Sequence, residues 1–116
     1  MQITSYRFGA ISIDGSDYTK DLKIVQGKVI QDWWRQKGHL LQQQDITDVI
    51  AAKPHTLVVG TGASGMMKVA PGLQQFLAEK GIRMETLPSE LATMRFNELI
   101  EMEGLDRVAL AIHLTC

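Results

Sequence analysis

Thr56-Leu57-Val58-Val59-Gly60-Thr61-Gly62-Ala63-Ser64-Gly65 decides how the rest of the chain is read. Four β-prone residues, three of them apolar, run into a glycine-rich loop, the pattern of a buried strand that turns sharply at its carboxyl end. Beyond it, Pro71 suits the first turn of a helix running to Lys80, and Gly81 ends that helix. Ile82 to Thr86 reads as a further strand. Pro88-Ser89-Glu90 opens another helix, with Ser89 capping free N–H groups and Glu90 favoured by the positive end of the helix dipole. Leu91, Met94, Leu99 and Met102 supply part of its apolar face, and Gly104 stops it. Arg107 to Leu114 is uncharged after Arg107 and rich in Val, Ala, Leu and Ile, as a strand buried on both faces must be. This β-α-β-α-β order with short connections requires mostly parallel strands joined by crossovers and covered by helices.

Toward the N-terminus, Asp45 and Asp48 mark the start of a short helix that Pro54 stops after Lys53. Before Arg35 the pattern changes to short β-prone runs separated by turns. Tyr6, Phe8, Ala10 and Ser12 alternate with Arg7, Gly9, Ile11 and Ile13 up to the Asp14-Gly15 turn. Asp21 to Val25, the Gln26-Gly27 turn and Lys28 to Trp34 complete a meander of three strands. The chain therefore reads as one α/β domain over 1–116, with an antiparallel meander over 1–35 and an α-β-α-β-α-β portion over 36–116.

Size and composition agree with one domain. A chain of 116 residues that is 45% hydrophobic can bury a single core without disulfides or a metal. Twelve basic against thirteen acidic residues give a net charge of −1, which offers no footprint for nucleic acid or an anionic membrane. No run approaches the roughly 18 apolar residues of a membrane span. The opening Met1-Gln2-Ile3-Thr4-Ser5 lacks a signal-peptide pattern, so the cytoplasm is the expected address. The single cysteine, Cys116, excludes an internal disulfide framework and a multi-thiolate zinc site.

Two surfaces stand out as candidate sites. Gly60-Thr61-Gly62-Ala63-Ser64-Gly65 is a literal G-x-G-x-x-G after a strand, the motif whose amides approach pyrophosphate. With parallel strands, Gly60, Thr61, Gly62, Ser64, Gly65, Ser89, Thr115 and the carboxylate of the last residue reach one sheet edge, where a small anionic ligand or nucleotide can bind. Glu85, twenty residues past Gly65, stands where a ribose-binding carboxylate would. Against this, the helix begins six residues beyond Gly65, and Pro71 removes one donor. A loop that merely turns a buried strand toward a helix explains the same residues.

The second surface is Trp33-Trp34-Arg35. Alternation sends the two indoles to opposite faces. Either both are covered, or one faces outward and anchors a protein partner with Arg35 beside it. No nucleophile, base and acid assemble persuasively into a catalytic set, and no cofactor is expected. His113 and Cys116 are three apart, so on a continuous strand they point to opposite faces. His39, His55 and His113 lack metal-ligand spacing, so no metal site is expected. Asp21, Asp32 and Glu85 can meet only through the tertiary fold.

Read together, Ser5-Tyr6-Arg7-Phe8-Gly9, Ile13-Asp14-Gly15, Trp33-Trp34-Arg35, Gly38-His39, Gly60-Thr61-Gly62 with Gly65, Leu87-Pro88 with Ala92 and Asn97, and His113-Leu114-Thr115-Cys116 carry a family resemblance over nearly the whole chain. The sequence resembles the small uncharacterised single-domain family that includes the adipogenesis-associated protein and a mitochondrial complex I assembly factor. That resemblance implies a three-layer α/β fold with a mixed central sheet and additional antiparallel β structure. It implies no established enzyme activity, and it points to protein–protein action. The leading expectation is thus a non-catalytic interaction or assembly protein, with a small-molecule or nucleotide-binding protein using the glycine loop as the alternative. Oligomeric state is left open.

Overall fold

The computed structural model describes residues 1–116. In chain order the strands β1 (Ile3–Arg7), β2 (Ala10–Ile13) and β3 (Ser16–Tyr18) form one antiparallel sheet. They are followed by β4 (Leu22–Val25), β5 (Lys28–Ile30), the two-residue β6 (Leu40–Leu41), α1 (Thr47–Ala52) and β7 (Thr56–Thr61). The chain continues through β8 (Lys68–Val69), α2 (Leu73–Glu79), β9 (Arg83–Leu87), α3 (Ser89–Glu103) and β10 (Val108–His113).

The central sheet has the order β5-β4-β10-β7-β9. β10, β7 and β9 are parallel, whereas β4 runs antiparallel to β10 and β5 antiparallel to β4. The sheet is mixed, and both its faces are buried. Leu57, Val59, Ala109 and Ala111 point to one face, where they pack with Val49 of α1 and Leu73 and Leu77 of α2. Val58, Val108, Leu110 and Ile112 point to the other, against Ala92, Phe96 and Leu99 of α3 and Ile3, Ile11 and Ile13 of the small sheet. Period-two alternation along two central strands thus builds two cores and three layers.

Four sequence expectations require correction. The meander over 1–35 is five strands shared between two sheets. Gly9, with φ +79°, folds the first run into the β1–β2 hairpin, and Leu22–Val25, buried at every position, joins the central sheet, where both faces are covered. The strand expected over Lys28–Trp34 ends at Ile30, because Asp32 takes the left-handed φ of 54°. α2 begins at Leu73 after Gly72 rather than at Pro71. The core face of α3 is Ala92, Phe96 and Leu99, while Leu91, Met94 and Met102 are exposed. Three of the four apolar residues assigned to that face lie in solvent, because the helix phase follows Phe96.

Glu85 on β9 accepts from Arg95 at 2.8 Å and from Arg83 at 2.6 Å. These bonds, Arg95 first, hold its carboxyl below the ordinary value against the opposing effect of burial. At Glu103, burial alone would raise the carboxyl, but hydrogen bonds from His55 and Thr56 turn the shift downward. A depressed folded-state pKa stabilises the fold above the unfolded value, and that contribution disappears as pH falls through the folded value. Stability is therefore expected to drop as pH is lowered below about 4, and Glu85→Gln to flatten that part of the curve. Denaturant titrations across a pH series measure both.

Candidate functional site

The C-terminal ends of β7, β9 and β10 converge, as the parallel reading requires. His113 closes β10, and its ring meets Asp21, which lies just before β4, because β4 and β10 are hydrogen-bonded neighbours. Asp21 Oδ2 is 2.7 Å from His113 Nδ1 and 2.9 Å from Arg35 Nη2, while Asp21 Oδ1 accepts from the Leu114 amide at 2.7 Å. One carboxylate therefore ties together the Trp-Trp-Arg segment, the end of the central strand and the chain that follows it.

Arg35 Nη2 also stands 3.2 Å from His113 Nδ1. Arginine only donates, and so does a ring nitrogen that bonds a carboxylate, so this contact is the third side of the triangle around Asp21 rather than a hydrogen bond. The shorter Asp21 contact assigns the proton to Nδ1. His113 Nε2 and Arg35 Nη1 are buried without hydrogen-bond partners. Tyr6 borders the same region, donating to the Leu114 carbonyl at 2.8 Å, and burial pushes its hydroxyl pKa up.

A pocket of about 290 Å³ opens over this cluster. Asp21, Arg35 and His113 wall it together with Trp33, and Lys20, Asp32 and Trp34 stand around it. Of the three acids whose meeting depended on the fold, Asp21 and Asp32 share this pocket, and Glu85 sits apart in its arginine pair. Trp33 is buried and donates Nε1–H to the Asp45 carbonyl at 2.9 Å, with the Arg35 guanidinium 4.7 Å from its ring centre. Trp34 is 78% exposed. The adjacent indoles thus divide between core and solvent.

The glycine loop turns inward. The amides of Ala63 and Met66 donate to the carbonyls of Thr115 and Cys116, and the Gly62 amide donates to Ser89 Oγ at 2.8 Å. Met67 and Gly65 amides bond Thr61 and Gly62 carbonyls. The Gly62, Ala63, Gly65 and Met66 amides of the loop are thus engaged with the protein's own backbone and with Ser89. Ser89 is fully buried and makes no cap hydrogen bond; its hydroxyl donates to the His113 carbonyl instead. Gly60, Thr61 and Gly62 are buried too, and Thr61 Oγ1 donates to the Leu87 carbonyl. Ser64 is exposed, and Gly65 and Thr115 are half-buried. The loop and the last residues therefore meet at one sheet edge as expected, but they meet one another.

Alternation fails at the end of β10, because the chain leaves the strand after His113. Cys116 and His113 consequently come together. One coordinating atom from each of His39, His113 and Cys116 lies within 4.8 Å of the others, a grouping that their spacing along the sequence does not announce. Sequence spacing cannot reveal this cluster, since it depends on the 36–40 segment crossing beside the end of β10. His55 remains apart, bonded to Glu103.

A family of proteins described as of unknown function (DUF498/DUF598) matches residues 3–113. The chain belongs to the DUF498/DUF598 family. Solved structures similar to this DUF498/DUF598 protein include the conserved hypothetical protein PH1505 from Pyrococcus horikoshii OT3, at 26% identity and TM-score 0.74, covering all of both chains. Another, MT938, is 23% identical with TM-score 0.79 over 99% of this chain and 98% of that one. A Mth938-like domain protein of Bordetella pertussis, 19% identical, gives TM-score 0.74 over 97% of this chain and 85% of its own. At these identities the last two likenesses concern the fold. No helix of the protein is long and apolar enough to cross a membrane.

Proposed function

We propose that this DUF498/DUF598 protein acts by non-catalytic binding of a protein partner, with Trp34 as the anchor. The observation that carries the reading is an indole held out in solvent by fixed neighbours. Trp33 is buried with its N–H bonded, Arg35 is ion-paired to Asp21 with only 4% of its side chain exposed, and Trp34 between them is 78% exposed. A large aromatic on a preorganised segment loses little freedom on binding, which is what interface hot spots exploit. The pocket beside it accepts one inserted side chain, with Lys20 and Asp32 able to supply polar contacts around it. The resemblance to the family that includes a mitochondrial complex I assembly factor supports action on other proteins.

Trp34→Ala is expected to leave stability within about 0.5 kcal/mol of the parent, as exposed substitutions do, while abolishing partner capture. Met102→Ala, which truncates an equally exposed side chain on α3, serves as the control. A protein recovered stoichiometrically with the parent and the Met102 variant but lost with Trp34→Ala supports the reading. Equal recovery with all three overturns it.

A further inference from the structure

We propose that His39, His113 and Cys116 form a binding site for a single borderline-soft transition-metal ion, of which Zn²⁺ is the type, with Asp21 orienting the central ligand. Three donors of the right kinds converge: two imidazoles and one thiol, each offering an atom within 4.8 Å of the other two. Cys116 Sγ is 3.9 Å from His39 Nε2. The two histidine rings meet edge to face at 5.6 Å between centres. Around a tetrahedral zinc, with bonds of about 2.0–2.3 Å, ligand atoms stand roughly 3.3–3.8 Å apart. Closing the gap asks for a contraction of about 1 Å, and His39 and Cys116 are exposed side chains free to make it.

The independent observation is the state of His113. Its side chain is 8% exposed, and Nε2 is buried with no hydrogen-bond partner. A buried orphaned imidazole nitrogen is costly unless something fills its lone pair. Nδ1 is already committed, since Asp21 accepts its proton at 2.7 Å. That hydrogen bond fixes the tautomer in which Nε2 presents a lone pair, and it is the carboxylate–histidine–metal arrangement that holds ligating imidazoles in place and raises their basicity. Asp21 is in turn fixed by Arg35 and by the Leu114 amide, so the outer shell is complete before any ion arrives. The Arg35 charge beside the site is matched by Asp21.

A thiolate with two imidazoles favours Zn²⁺ and its neighbours in the transition series over Mg²⁺ or Ca²⁺, which need oxygen ligands. Three protein ligands leave the fourth tetrahedral position to water or a small anion. The ion would clip the 36–40 segment to the residues after β10, beside the pocket on which Trp34 stands.

Cobalt(II) titration of the reduced full chain tests the proposal, because Co²⁺ reports its own ligands. One equivalent is expected to produce a thiolate-to-metal charge-transfer band together with tetrahedral d–d bands, and one equivalent of Zn²⁺ to displace both. Cys116→Ser is expected to abolish the charge-transfer band, and His39→Ala to weaken Co²⁺ binding by about ten-fold or more. Both residues are exposed, so circular dichroism and unfolding curves should stay those of the parent. His55→Ala, which removes the remaining histidine, should leave the titration unchanged. Absence of the charge-transfer band in the parent, or affinities equal in the parent and both ligand variants, overturns the site and marks any binding as adventitious.

Discussion

Gly62→Ala is expected to destabilise the protein by about 2–5 kcal/mol, the sum of a strained backbone and an overfilled contact. Gly62 has φ +106°, a conformation that side chains rarely adopt. A Cβ there would lie 2.5 Å from the Cys116 carbonyl oxygen and 2.8 Å from that of Thr115. Both obstacles are backbone, and they accept hydrogen bonds from Met66 and Ala63, so neither can retreat without breaking the seam between loop and chain end. Gly81→Ala is the comparison, for it has φ +79° with nothing within 4 Å of its Cβ position. Strain without collision should cost only about 1 kcal/mol. Urea unfolding of the two variants measures the difference, and equal losses would mean that the close approach at Gly62 contributes nothing. Gly62 is required by the chain's own backbone passing against it, whereas a Cβ at Gly60 would meet the Ile112 and Ser89 side chains and Gly65 has the left-handed φ of +68°.

Asp21→Ala is expected to cost about 3–5 kcal/mol, as removal of one partner from a buried ion pair does. Arg35 would keep its charge with 4% of its side chain in contact with solvent, and its Nη1 already lacks a partner. His113 Nδ1 and the Leu114 amide would lose their acceptor in the same step. Asp21→Asn keeps one oxygen and should recover part of the loss. The contrast is Lys23→Ala, whose partner Asp48 is 37% exposed and can be rehydrated, so the uncompensated charge is less costly. Chemical unfolding of the four proteins ranks them; Asp21→Ala falling level with Lys23→Ala would show that the Asp21 carboxylate does not hold these segments together. If the loss is as large as expected, Asp21 serves the fold as well as the metal site, and only the exposed ligands His39 and Cys116 separate the two roles.

Local pattern was sufficient wherever a segment answers to its own residues. Thr56–Val59 and Arg107–Leu114 read as buried strands because no charge interrupts them after Arg107, and the two strands sit side by side with both faces covered. Pro54 and Gly104 end helices by backbone chemistry alone, as observed. Pattern misled where two phases compete. On α3, methionines and leucines mark one stripe, but Phe96 with Ala92 and Leu99 fills the core, since the small residue lets the helix lie close to the sheet. At Trp33-Trp34 the strand invoked for alternation stops at Ile30, so the burial of Trp33 and the exposure of Trp34 do not come from strand pleating.

The amino-acid sequence by itself determined the α/β class, the parallel C-terminal half, and the arrival of the glycine loop and the last residues at one sheet edge. These follow from periodicity, from turn and breaker residues and from motif order, all properties of neighbours along the chain. Only the tertiary structure decided that Leu22–Val25 pairs with the last strand instead of remaining in the meander, and the Asp21–His113 contact descends from that pairing. It brings Asp21 to His113 across 92 residues, at the end of the strand where His39 and Cys116 also gather. The physical reason is that strand pairing is chosen by how much apolar surface the whole sheet can cover, a quantity no local window contains.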